Sequence, residues 1–148
     1  MAGNLWFIYA LLASAFWGVT YAVAGRLFQH GFSVPVLLVI ELMLALPVFL
    51  VIAYVTGALK SDIALLTSRP NLWPLLFSLA VFSGIASFFI ASSISEKNAT
   101  LAALVEISYP LFTFAFVWLI FREVQLSWET AIGGLLIISG SFLMCWKS

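Results

Sequence analysis

Polar and charged positions along the chain fall into short clusters, and each of the five apolar stretches between them is long enough to cross a bilayer. A hydrocarbon core of about 30 Å takes about 20 apolar residues in helical form, because in lipid the backbone has to satisfy its own hydrogen bonds. By this test helices are predicted over about 5–25, 34–55, 72–95, 99–121 and 128–146. Ser33 and Pro35 suit the first turn of the second helix, Asn98 is placed to cap the fourth and Ser127 the fifth. The longest connection, Gly57 to Asn71, mixes Lys60, Asp62 and Arg69 with Ile63, Leu65 and Leu66, a pattern that predicts a short helix lying on the interface. The expected fold class is therefore an all-α integral membrane protein, multi-pass, with five transmembrane helices in one domain over residues 1–148. Ala13-Ser14-Ala15 resembles a signal-peptide cleavage site, but no Lys or Arg precedes it and apolar residues continue past it, so the segment is read as a span. No internal repeat is evident, although transporters are commonly built from two inverted repeats with the substrate between them.

Composition removes several classes of function. With 64% hydrophobic and 8% charged residues the chain is too apolar for a water-soluble fold. Its six Lys/Arg balance six Asp/Glu and form no basic cluster, so nucleic acid is not an expected partner. The single cysteine, Cys145, and the single histidine, His30, are too few for a disulfide framework or a Cys/His metal site, and no cofactor is expected. A Ser-His-Asp arrangement would need His30 and Asp62 together, yet the predicted spans put them on opposite sides of the membrane. The sequence is not read as an enzyme.

The same topology puts Lys60, Arg69 and Arg122 on one side and Arg26, Lys97 and Lys147 on the other. Orientation follows the side richer in Lys and Arg, and this tie gives no decision. Two readings stand: the chain inserts both ways, or the tie is chance among few charges. Because the number of spans is odd, two oppositely inserted copies would form ten helices related by an axis in the membrane plane.

Two carboxylates fall inside the apolar segments, Glu41 on the second and Glu106 on the fourth. An acid at that depth costs about 3 kcal/mol or more and faces a cavity or partner rather than lipid, which makes both candidate proton or cation sites. Each is about seven residues, or roughly 10 Å, from the start of its helix, and both helices begin on the same side, so similar depths are expected. If the second and fourth helices adjoin, proton-coupled exchange is the chemistry such a pair supports. Pro110 removes the amide that would have served the carbonyl of Glu106, which predicts a kink there, with Tyr109 and Ser108 adding hydroxyls. Pro47 does the same for Met43, where no ionisable group lies, and is read as a kink alone. Ala10, Ser14, Gly18 and Ala22 on the first helix, and Ser83, Ser87, Ala91 and Ser95 on the third, recur at four-residue spacing as close-packing stripes. Trp17, Thr20 and Tyr21 border the first stripe and are candidates to line a pocket for an organic cation or amphipathic metabolite, or else to be core. Trp6, Trp73, Trp128 and Trp146 near helix ends read as an interfacial belt.

Asn98-Ala99-Thr100 through Ala103, Tyr109-Pro110, Phe121-Arg122-Glu123, Ser127-Trp128, and Ile132-Gly133 through Ile138-Ser139-Gly140 follow one another in an order and spacing that resembles the EamA family of the drug/metabolite transporter superfamily. Trp17-Gly18 on the first span looks like that family's Trp-Gly. Familiar members carry two five-helix repeats, so this chain resembles a half-size, single-repeat member. The resemblance implies export or exchange of small metabolites or drugs across an inner or plasma membrane, through a pocket between two repeats. It matches Pro110 to the family's helix-four proline, and Arg122 with Glu123 to its acidic turn, read here as a cap or surface ion pair. Where the family often has Arg in the second helix this chain has Glu41, which tilts the expected substrate towards cations or proton coupling.

The reading at this point is a homodimeric, antiparallel transporter of small solutes, with Glu106 and Glu41 as proton or cation sites and Trp17, Thr20, Tyr21 and Tyr109 along the path. Its rivals are a half-transporter paired with a separately encoded, oppositely oriented partner, and a non-transporting membrane scaffold or assembly protein.

Overall fold

The computed structural model describes residues 5–123 and 128–145, and every regular element among them is helical. Helix α1 spans Leu5–Gln29 and ends in a turn where Gly31, at φ 90°, gives its amide to Phe28 and Phe32 gives its amide to Leu27. A left-handed residue at this position closes the last carbonyls of a helix, and glycine adopts it without steric cost. Helix α2 spans Val34–Val55; Ser33 before it is extended and Pro35 falls in the first turn, where its missing amide is one that no helix would use. The Ser33 side chain makes no capping bond, so the expected start is set by backbone and proline. α2 runs through Pro47 without interruption and finishes at Thr56, whose hydroxyl donates to the carbonyl of Ile52 at 2.8 Å.

Gly57, at φ 74°, turns the chain into the short helix α3, Ala58–Ser68, where the sequence predicted one. A single 3₁₀ turn, Pro70–Leu72, leads into α4, Trp73–Glu96. Asn98 then caps α5, Ala99–Glu106, its side-chain oxygen accepting from the amide of Leu101 at 2.8 Å. The fourth span is not one helix. α5 stops at Glu106, α6 runs from Tyr109 to Phe116, and a π-helical turn over Val117–Phe121 completes it. Helix α7 spans Trp128–Cys145. Ser127, expected to cap it, and Trp146, expected to end it, lie outside the described residues.

Four of these segments are long and apolar enough to cross a membrane: 25 residues over Leu5–Gln29, 22 over Val34–Val55, 27 over Pro70–Glu96 and 23 over Ala99–Phe121. α7 supplies a further 18-residue helix with a shorter apolar stretch, Ala131–Gly140. Trp6, Trp73 and Trp128 stand exposed within two residues of helix starts, as an interfacial belt requires. Such residues in so many apolar helices make this an integral membrane protein.

The chain divides into two compact units, one formed by residues 1–26 with 93–148 and the other by 27–92. In the first, Gly25 brings α1 against the start of the fourth span: a Cβ there would stand 3.5 Å from the Cβ of Ala99 and 3.6 Å from Cγ2 of Ile94. Ile94 and Ala102 are buried, and α5 packs on α7. On α7, Gly134 lies so close to Leu111 that a Cβ would meet its Cδ2 at 2.8 Å. In the second unit the buried apolar residues are Leu37 and Ala91. Elsewhere the large apolar side chains of the spans, Leu42, Met43, Leu44, Phe77 and Phe82 among them, are exposed. In water such a surface is untenable, whereas against lipid tails it costs nothing.

Candidate functional site

The break in the fourth span is where the chemistry gathers. Pro110 in the first turn of α6 has no amide to offer the carbonyl of Glu106. Leu111 gives its amide to Ser108, three residues back rather than four, so the carbonyl of Ile107 also loses its regular donor. Ile107 and Ser108 therefore form a two-residue joint, pinned by the Ser108 hydroxyl on the carbonyl of Val105 at 2.8 Å. Glu106, the last residue of α5, is held at the edge of this joint and is half-buried.

The side chain that meets Glu106 is Tyr21 of α1, whose hydroxyl donates to Oε2 at 2.5 Å. One turn earlier on the same face of α1, the ring of Trp17 lies 5.6 Å from that of Tyr21, tilted by 50°. Residues four apart on a helix are neighbours, so Trp17 and Tyr21 present two ring faces side by side, with the carboxylate at the outer end. The phenol engages one of the two carboxylate oxygens. A half-buried carboxylate beside aromatic faces is a recognised way to hold an organic cation, the rings attracting it through their quadrupoles.

The Thr20 hydroxyl donates to the carbonyl of Phe16 at 3.1 Å, while Tyr109 is exposed and its hydroxyl forms no hydrogen bond among the described residues. Glu41 belongs to the unit of residues 27–92, where it is exposed on α2 with no polar partner among the described residues. Ala10, Ser14, Gly18 and Ala22 are all exposed, and a Cβ at Gly18 would meet nothing within 4 Å. The α4 stripe is covered only in part, at Ser87 and Ala91. After the π turn, Arg122 takes a left-handed conformation, φ 59°, with its guanidinium 5.8 Å from the Trp118 ring centroid. No sequence signal marked this contact, since Arg is not a residue that ordinarily adopts that conformation.

A broken span with an acid at the break is an arrangement that transporter binding sites use. The EamA-like transporter family matches residues 4–146, and the chain belongs to that family, of which it spans a single repeat-sized domain. Its function is accordingly that of a membrane transporter of the drug/metabolite type. Neither a curated protein nor a solved structure matches the chain.

Proposed function

We propose that the chain is one five-helix half of a dimeric exporter or exchanger for small cationic or amphipathic solutes, with Glu106 as the group that holds either a proton or the solute. The hydrogen bond from Tyr21 to Glu106, next to Trp17, carries this reading. It joins an acid, a donor and two ring faces at the interruption of a span, the combination that lets one carboxylate exchange a proton for a cation. The chain acts as a transporter half and not as an enzyme, and uses no cofactor.

Two observations support a dimer. Glu41 is bare on an apolar span, a placement that is costly against lipid and is relieved by a cavity or partner. The small-residue face of α1 is likewise uncovered, and small residues are what let membrane helices approach closely. The tie in Lys and Arg across the predicted topology is compatible with an antiparallel homodimer, and in this reading Glu41 joins the path.

The deciding experiment is proton release on addition of an organic cation, tetraphenylphosphonium, to purified protein. Glu106→Gln is expected to abolish the release, and unchanged release in that variant would remove Glu106 from the mechanism. Co-purification with a second, different half would replace the homodimer by a paired transporter.

A further inference from the structure

Where α2 meets α3, the chain turns at the left-handed Gly57, and an open cleft of about 660 Å³ is lined by Tyr54, Val55, Gly57, Leu59, Lys60 and Ile63. Leu59, Lys60 and Ile63 stand on one face of α3, at helical spacing, and Val55 continues the apolar wall onto α2. Lys60 is exposed and forms no ion pair among the described residues. The acid of this helix, Asp62, is about 100° round from Ile63, and its Oδ1 accepts from the Ser61 hydroxyl at 3.1 Å. The cleft thus has a cationic edge, a phenol beside it and an apolar floor, at the end of a 22-residue span.

We propose that this cleft holds one anionic phospholipid, its phosphate on the Lys60 ammonium next to the Tyr54 hydroxyl, and an acyl chain against Val55, Leu59 and Ile63. The cleft is open to its surroundings, so it takes a headgroup and the first part of an acyl chain while the rest of the lipid lies in the bilayer. The position at the end of a span sets it at headgroup level, where a lysine stem lies along apolar surface with its charge in the wet layer. Charge complementarity selects an anionic over a zwitterionic headgroup, and a single lysine near the surface gives a preference of about fivefold. The site is independent of Glu106 and of the transport reading.

The test uses the full chain in phosphatidylcholine vesicles, with spin-labelled phosphatidylglycerol or spin-labelled phosphatidylcholine as probe. Motionally restricted phosphatidylglycerol is expected to exceed phosphatidylcholine by up to about one lipid per chain, the excess a single site of about fivefold preference can add. Lys60→Glu should erase the preference, while Lys60→Arg and Arg69→Glu should keep it. Absence of a preference in the unaltered chain overturns the proposal. Equal loss in Arg69→Glu overturns it in favour of diffuse attraction, and displacement of the labelled lipid by inorganic phosphate overturns it in favour of a free-anion site.

Discussion

At the scale of single residues, the phenol on Glu106 can be removed without touching the ring that packs on Trp17. Tyr21→Phe leaves the carboxylate without its donor, and a hydrogen bond to a charged group contributes about 1.5–3 kcal/mol when buried, less when half-exposed. The concentration of tetraphenylphosphonium giving half-maximal proton release is therefore expected to shift by about tenfold, with helicity unchanged. No shift would make the bond incidental. Glu106 itself was legible in the sequence, because an acid inside an apolar run has few structural explanations. Its partner was not. The sequence offered Tyr21 as a pocket-lining candidate without joining it to Glu106, because periodicity tells which residues share a helix face, not which faces meet.

Elements respond to backbone chemistry more than to charge. Pro110→Ala restores an amide opposite the carbonyl of Glu106 and invites α5 and α6 to merge. The expected outcome is a protein of equal or higher thermal stability whose transport falls several-fold, read by melting and by uptake into vesicles. Gly25 tests the contact between α1 and the fourth span. At 3.5 Å from Ala99 an added methyl sits in ordinary contact, so Gly25→Ala should be neutral or stabilising by up to about 1 kcal/mol. Gly25→Leu pushes further carbons towards the buried Ile94 and should cost about 1–3 kcal/mol, seen as a lower midpoint of unfolding in detergent. Asn98, Pro110 and the α3 pattern were all readable beforehand, since each acts through local geometry. The π turn at Val117–Phe121 and the left-handed Arg122 were not, since nothing in those side chains demands either conformation.

On the scale of the whole molecule, the sequence gives spans and their boundaries but not their grouping. That residues 1–26 join 93–148 while 27–92 form a separate unit follows from contacts distant along the chain, which hydropathy does not encode. Orientation is also a whole-molecule property. Fusing a reporter active only in the cytoplasm, and separately one active only outside, after Ser148 should give activity from both if the chain inserts both ways. Activity from one alone would replace the antiparallel homodimer with an oppositely oriented partner chain.

Tyr21 and Glu106 stand 85 residues apart, and that interval is also a stretch of time. At a synthesis rate of roughly 5–20 residues per second, α1 waits about 4 to 17 s after emerging before the carboxylate it is to hold has been made. During that wait the nascent helix enters the bilayer before the bond between Tyr21 and Glu106 can form. The site is thus completed only when the fourth span is made, and a ribosome that stalls before Ala99 leaves behind an inserted chain without the carboxylate to which Tyr21 donates.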